Sequence, residues 1–224
     1  MVKFLSLWRG LGNMGKRVFF RREPKVSLYL TTSMYHTMID ILADSFGGNY
    51  EEAMEVMINL TRPLSEEMIS SILFGTSVLG MQLKTLLSKF KDLKDFTYFV
   101  DLSLYSFFGP WAEKIFGKTK YIPAADSEEQ VDTYMLRLKS CPFCYPTMVP
   151  PEKFGSHRLG KTVALTVEQM IQLSQDFLQH DFQVIAREVR CFHQGDPYGE
   201  IRVWLYPRDK QNLMQLNDYL KKIK

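Results

Sequence analysis

Phe182-Gln183-Val184-Ile185-Ala186-Arg187-Glu188-Val189-Arg190-Cys191-Phe192, a turn at Gln194-Gly195-Asp196-Pro197, and Glu200-Ile201-Arg202-Val203-Trp204-Leu205-Tyr206 decide the fold class. Two runs rich in β-branched and aromatic residues, joined by a turn that contains glycine, predict an antiparallel hairpin. Upstream, Tyr134, Leu136 and Leu138 alternate with Thr133, Arg137 and Lys139, the pattern of a half-buried strand that delivers the chain to Cys141. Between that strand and the hairpin, Val163, Val167, Met170, Ile171 and Leu173 recur at helical spacing over Thr162 to Leu178, after a proline-rich loop at 146–151.

The part before residue 130 is mainly helical. Met34, Met38, Ile41, Leu42 and Phe46 mark one helix, which Gly47-Gly48 ends. Tyr50 to Leu60 marks a second, which Arg62-Pro63 is expected to close. A third and longest helix is expected from Ser65 to Phe90, with a stripe of Ile69, Ile72, Leu73, Leu79, Leu83, Leu86, Leu87 and Phe90 broad enough to supply a subunit interface. Lys91 to Phe108 is the fourth, stopped by Gly109-Pro110, and 118–129 reads as an exposed turn-like connection. A last helix is expected over 208–224. The order of elements predicts an α+β fold: an antiparallel sheet with helices packed on one face.

One domain over 26–224 is expected, mainly helical to 130, with sheet and connecting helix over 131–207, preceded by a basic arm at 1–25. The chain has 224 residues, 46% of them hydrophobic, enough for a substantial core. No apolar run approaches the length of a membrane-spanning helix. The three cysteines do not form a disulfide framework, so a reducing, cytoplasmic setting is expected. The arm carries seven basic residues against Glu23 alone, interleaved with Phe4, Leu5, Leu7, Trp8, Leu11, Val18, Phe19 and Phe20. It reads as a packed or loose terminal arm or as a peripheral membrane contact. No nucleic-acid partner is expected.

The chemistry-bearing residues gather late in the chain. Cys141-Pro142-Phe143-Cys144 brings two thiolates within reach of one metal ion, and Cys191 is the natural third ligand. His193 is the fourth candidate, with Glu188 and His157 as alternatives. In an ideal strand Cys191 and His193 face one side and Glu188 the other, so all three serve together only across a bulge. Without a metal the thiols are small buried hydrophobes, and Glu188 is expected to pair with Arg187, Arg190 or Arg202. A dithiol redox site is disfavoured because Tyr145-Pro146 and Pro150-Pro151 break the helix such a site needs. His36 and His180 read as solvated or core residues. No spacing identifies a hydrolase triad or a phosphate-binding glycine loop. The aromatic helix offers Phe96, Tyr98, Phe99, Tyr105 and Phe108, either as ordinary core or as the wall of a cavity for an apolar ligand.

Glu188-x-x-Cys191-x-x-x-Gly195-Asp196 with Glu200-Ile201-Arg202-Val203 resembles the C-terminal signature of 4-vinyl-reductase-type domains and their relatives, the core subunits of the TRAPP vesicle-tethering complex. Phe74-Gly75-x-x-x-x-Gly80-Met81-Gln82-Leu83 resembles the dimer-forming helix of that superfamily, and Leu136-x-Leu138-x-x-Cys141-Pro142-Phe143 its strand end. The resemblance covers about residues 30 to 207. It implies a non-enzymatic homodimer, or a pairing with a related subunit, through the 65–90 helix. It also implies a pocket for a hydrophobic molecule or lipid and, as in some sensor members, zinc on cysteines and a glutamate. A tethering or scaffold role is the alternative, and a tetrapyrrole vinyl reductase the third reading. The chain departs from the sensor pattern at Gly199, where that pattern has a cysteine. It also lacks a cysteine in its helical half, so a covalent acyl group of the TRAPP type is not expected.

Overall fold

The computed structural model describes residues 28–75, 77–78, 81–90, 92–141 and 160–209. The basic arm, Cys144, His157 and the helix expected beyond residue 209 lie outside the described residues.

The chain begins with a helical hairpin. Helix α1 (Leu28–Ser45) buries Tyr35, His36, Ile39 and Ala43, a stripe at helical spacing. It ends where Gly47 and Gly48 take φ of 63° and 90°, and the Gly48 N–H returns to the Ala43 carbonyl at 2.8 Å. Asn49 then caps α2 (Tyr50–Gly75), its Oδ1 accepting from the N–H groups of Glu51 and Glu52 at 3.1 and 3.2 Å.

Helix α2 runs through Pro63, where the sequence predicts a stop. An interior proline forfeits a hydrogen bond and costs about 3 kcal/mol. Burial of Ser65 and Ile69 beyond it, and a 2.8 Å hydrogen bond from Gln169 Nε2 to the Arg62 carbonyl, tie the later turns to the core. The single helix expected over 65–90 is not formed. Helix α2 ends at Gly75, and a two-residue hairpin follows, β1 (Ser77–Val78) with β2 (Met81–Gln82), then α3 (Leu83–Leu87). Gly75, Thr76, Ser77, Val78 and Gly80 are weak helix formers in close succession, which breaks the stripe on which the expected interface depended.

Helix α4 (Leu93–Phe108) is capped by Asp92, which accepts from the Lys94 N–H at 2.7 Å. It passes through a short 3-10 turn (Gly109–Trp111) into α5 (Ala112–Ile115). The segment expected to be a loop contains an edge strand, β3 (Lys120–Ile122), paired with β4 (Asp132–Leu138). Three residues are too few to show alternation. The strand is held by its neighbour instead: the Tyr121 hydroxyl donates to Asp132 Oδ1 at 2.6 Å.

Helix α6 (Lys161–Phe177) and strands β5 (Phe182–Arg190) and β6 (Gly199–Pro207) complete the fold. The sheet is fully antiparallel in the order β3-β4-β6-β5. Tyr134, Leu136, Leu138, Val184, Ala186, Ile201, Val203 and Leu205 turn toward the helices in one core, while Val131, Ile185, Trp204 and Tyr206 form a smaller cluster on the opposite face. Helix α6 also closes the β5 edge. Residues four apart on the helix, Glu168 and Gln172, accept from the N–H groups of Ala186 and Val184, two apart on the strand, each at 2.8 Å. Two of the edge donors that invite edge-to-edge pairing are thereby satisfied within the chain.

Candidate functional site

Strand order brings the chemistry together. Strands β4 and β5 each pair antiparallel with β6, so both end at the same margin of the sheet. Cys141 follows β4 and Cys191 follows β5 at that margin, where β6 begins at Gly199, the register partner of Leu138. Helix α6 starts there too, and the Gly160 N–H donates to Glu188 Oε2 at 2.9 Å. A register shift between Glu188 and Arg190 marks a bulge at Val189. The bulge cancels the alternation that would send Glu188 and Cys191 to opposite faces.

Glu188 and Cys191 are both buried, and Cys141 is half-buried. The Glu188 carboxyl is pushed up to about 9, first by burial, then by the charge of the Cys191 and Cys141 sulfurs and a hydrogen bond with Cys191; the Gly160 N–H pulls the other way. The three expected arginine partners are engaged elsewhere. Arg187 meets Glu168 at 3.3 Å, Arg190 meets Asp196 at 3.8 Å, and Arg202 meets Glu200 at 2.9 Å. Among the described residues, Glu188 is thus a carboxyl set beside the two thiols and the Gly160 N–H.

Asp196 holds the Cys191 turn in shape. Its Oδ2 accepts from the Cys191 N–H at 2.8 Å, and Gly195 takes the left-handed φ of 85° that the turn demands. His193 lies in a 3-10 turn (Phe192–Gln194), so strand alternation does not set its direction. Among the described residues, no group of three histidine, cysteine, aspartate or glutamate side chains is arranged to hold a metal ion. Cys141, Cys191 and Glu188 share the sheet margin without forming such a group, and two of the other candidates, Cys144 and His157, lie outside the described residues.

The carboxyl lies flat against Gly160. A Cβ on that glycine would stand 2.5 Å from Glu188 Cδ. Gly160→Ala is therefore expected to lower stability by about 1–3 kcal/mol, the ordinary range for overpacking, read as an earlier denaturant midpoint at unchanged slope. An unaltered midpoint would mean that the carboxyl swings away freely.

The aromatic helix divides its residues between two settings. Phe96 and Phe99 are core: their rings stand 5.3 Å apart, and Phe96 packs 5.7 Å from Tyr134. Phe108 packs on Phe116 at 5.2 Å. Tyr98 and Tyr105 instead line a groove of about 740 Å³, together with Leu104 and Phe116. Lys94, Lys118 and Lys139 stand on the same groove. Periodicity could not find these lysines, because they come from a helix start, a strand approach and a strand end. His36 is a buried core residue edge-on to Tyr35, and His180 Nδ1 lies 2.7 Å from Gln175 Oε1. Among the described residues no helix is long and apolar enough to cross a membrane.

No family model and no curated protein matches the chain. Among solved structures it is similar to a trafficking protein particle complex subunit 3 from Naegleria fowleri covalently bound to palmitic acid, at 16% identity and a TM-score of 0.48, over 80% of this chain and 99% of that one. It is similar to the phenol-responsive sensory domain of the transcription activator PoxR with phenol, at 10% identity and a TM-score of 0.48, over 83% and 80% of the two chains. A likeness at this level carries no residue's role across.

Proposed function

We propose that the chain is a non-enzymatic binding module that pairs with a second copy of itself and holds a hydrophobic small molecule, with a structural zinc fastening its hairpin. The observation that carries the pairing is apolar surface on the helical hairpin. Met34, Met38 and Ile41 are 56%, 44% and 60% exposed on α1, and Leu60, Leu64 and Met68 are 52%, 67% and 45% exposed on α2. Each trio recurs at helical spacing, the mark of an intended apolar stripe rather than scattered surface residues. Six such side chains present roughly 600–700 Å² per copy, so a twofold pairing buries about 1,200–1,400 Å², within the range of stable interfaces. An isologous pairing needs no second kind of partner. The face is on α1 and α2 and shares only Met68 with the 65–90 stretch that the sequence suggested.

Zinc is supported by the donor chemistry at the sheet margin: two cysteines that follow β4 and β5, and a buried carboxyl whose ionisation a cation would favour. In this proposal Cys144 joins Cys141 and Cys191 as the third thiolate, and Glu188 supplies the fourth ligand of a tetrahedral set. The ion would join the ends of two strands and the start of α6, a fastening rather than a reaction centre.

The pairing is tested by Met38→Glu with Leu64→Glu, two exposed positions whose change leaves the monomer core intact. Light scattering on the eluting protein is expected to give twice the chain mass for the parent and one chain mass for the double variant. A parent that elutes as a monomer at high micromolar concentration would refute the pairing.

A further inference from the structure

Where β3 and β4 meet α5, cations gather on one rim of the sheet. Backbone hydrogen bonds fasten the two segments that form it: the Lys139 N–H donates to the Ile115 carbonyl and the Gly117 N–H to the Arg137 carbonyl, each at 2.7 Å. Lys114 on α5, Lys118 before β3, Lys120 on β3, Arg137 on β4 and Lys139 after it are all exposed. Lys120 is the register partner of Met135, so it stands on the sheet face opposite the core, the face of Arg137.

Glu113 is the one carboxylate on the two segments, 111–120 and 137–139. The adjoining groove adds Lys94, Asp95 and Asp101, so six cations stand with three carboxylates when its walls are counted together with the rim. The next charges along the sheet come as ion pairs, Arg190 with Asp196 at 3.8 Å, and Arg202 with Glu200 at 2.9 Å and Glu128 at 3.5 Å. The surplus of positive charge belongs to the rim.

An exposed indole stands on the same rim. Trp111 is 50% exposed, unusual for so large an aromatic side chain. Lys114 Nζ lies 4.5 Å from its ring centroid. An amphipathic ring among lysines suits a lipid surface: the ring enters the headgroup layer while the ammonium groups stay with the phosphates. Helix α5 has four residues, too few to enter a nucleic-acid groove as a recognition helix.

We propose that this rim is a docking surface for an anionic membrane, with Trp111 seated among the headgroups and Lys114, Lys118, Lys120, Arg137 and Lys139 against their negative charge. It uses no residue of the pairing face or of the cysteine margin, and it is separate from the basic arm at 1–25.

Vesicles of phosphatidylcholine with about a third phosphatidylserine test it on the full chain. A Trp8→Phe background leaves Trp111 as the accessible indole, since Trp204 is 1% exposed. Trp111 emission is expected to shift to the blue and to be quenched by brominated lipid, and to do neither with phosphatidylcholine alone. Lys114→Gln with Lys118→Gln and Lys120→Gln, all at exposed positions, should weaken co-flotation with the vesicles about a hundredfold, roughly fivefold for each charge removed. Vesicle binding unchanged in that triple variant would assign the contact to the arm and overturn the proposal. So would a parent that leaves the vesicles unbound, or one that binds a duplex oligonucleotide while Trp111 stays unquenched by lipid.

Discussion

Glu188→Gln in zinc-free protein is expected to raise the thermal midpoint at pH 8, change it little near pH 4.5, and widen the gap steadily in between. The carboxyl titrates at about 9 in the fold and has an ordinary value of 4.5. Between those values the unfolded chain releases a proton that the folded chain keeps, so folding takes up a proton and stability falls as pH rises. The stabilisation of the protonated carboxyl is complete below the ordinary value and is lost as pH climbs through the folded one. Each pH unit across the gap is worth about 1.4 kcal/mol before relaxation. Allowing generously for relaxation, the glutamine should gain on the order of 2–3 kcal/mol at pH 8, a shift of several degrees. Glutamine keeps an acceptor for the Gly160 N–H and never ionises. Thermal scans of both proteins in chelator from pH 4.5 to 9 read the result directly. Parallel curves would place Glu188 in water. Added zinc should reverse the order, because the ion favours a carboxylate that glutamine cannot supply.

Cys191→Ser and Cys141→Ser are each expected to remove bound zinc, from near one ion per chain in the parent to below about a tenth, since loss of one thiolate from a closed tetrahedral set cuts affinity by orders of magnitude. Both should lower the midpoint of the zinc-loaded protein by about ten degrees or more and leave the chelated proteins close together. Elemental analysis of protein purified without chelator checks the first part, and paired melts with and without chelator check the second. Metal retained at parental level in either variant would remove that cysteine from the site. Equal melts of the parent with and without zinc would deny the ion a structural role.

Much of the sheet was legible because its strands alternate. Tyr134, Leu136 and Leu138 face the core as their spacing predicts, and the hairpin pairs over Phe182 to Pro207. Where tertiary contacts decide, local rules failed. Pro63 should stop a helix, yet Gln169 and the buried Ser65 and Ile69 carry it through. The long stripe from Ile69 to Phe90 looked continuous because apolar spacing was counted across Gly75 and Gly80, residues whose weak helix propensity should have outweighed it. Strand β3 was hidden by its three-residue length.

The site divides in the same way. Glu188 and Cys191 were named as requiring a bulge to act together, and the bulge is present at Val189. The apolar faces escaped notice as an interface because Met34, Met38 and Ile41 were used only to mark a helix, and spacing does not say which side of a helix meets the protein. The groove lysines were invisible to any local pattern, since Lys94 and Lys139 are 45 positions apart in the chain. They line one groove because β4 returns alongside the α4–β3 connection.

Native mass spectrometry of the untagged chain, purified without chelator, tests the account most directly. A dominant ion at twice the chain mass carrying two zinc ions, which becomes a metal-bearing monomer in Met38→Glu with Leu64→Glu, is the result the account predicts. A metal-free monomer in the parent across the micromolar range would contradict it.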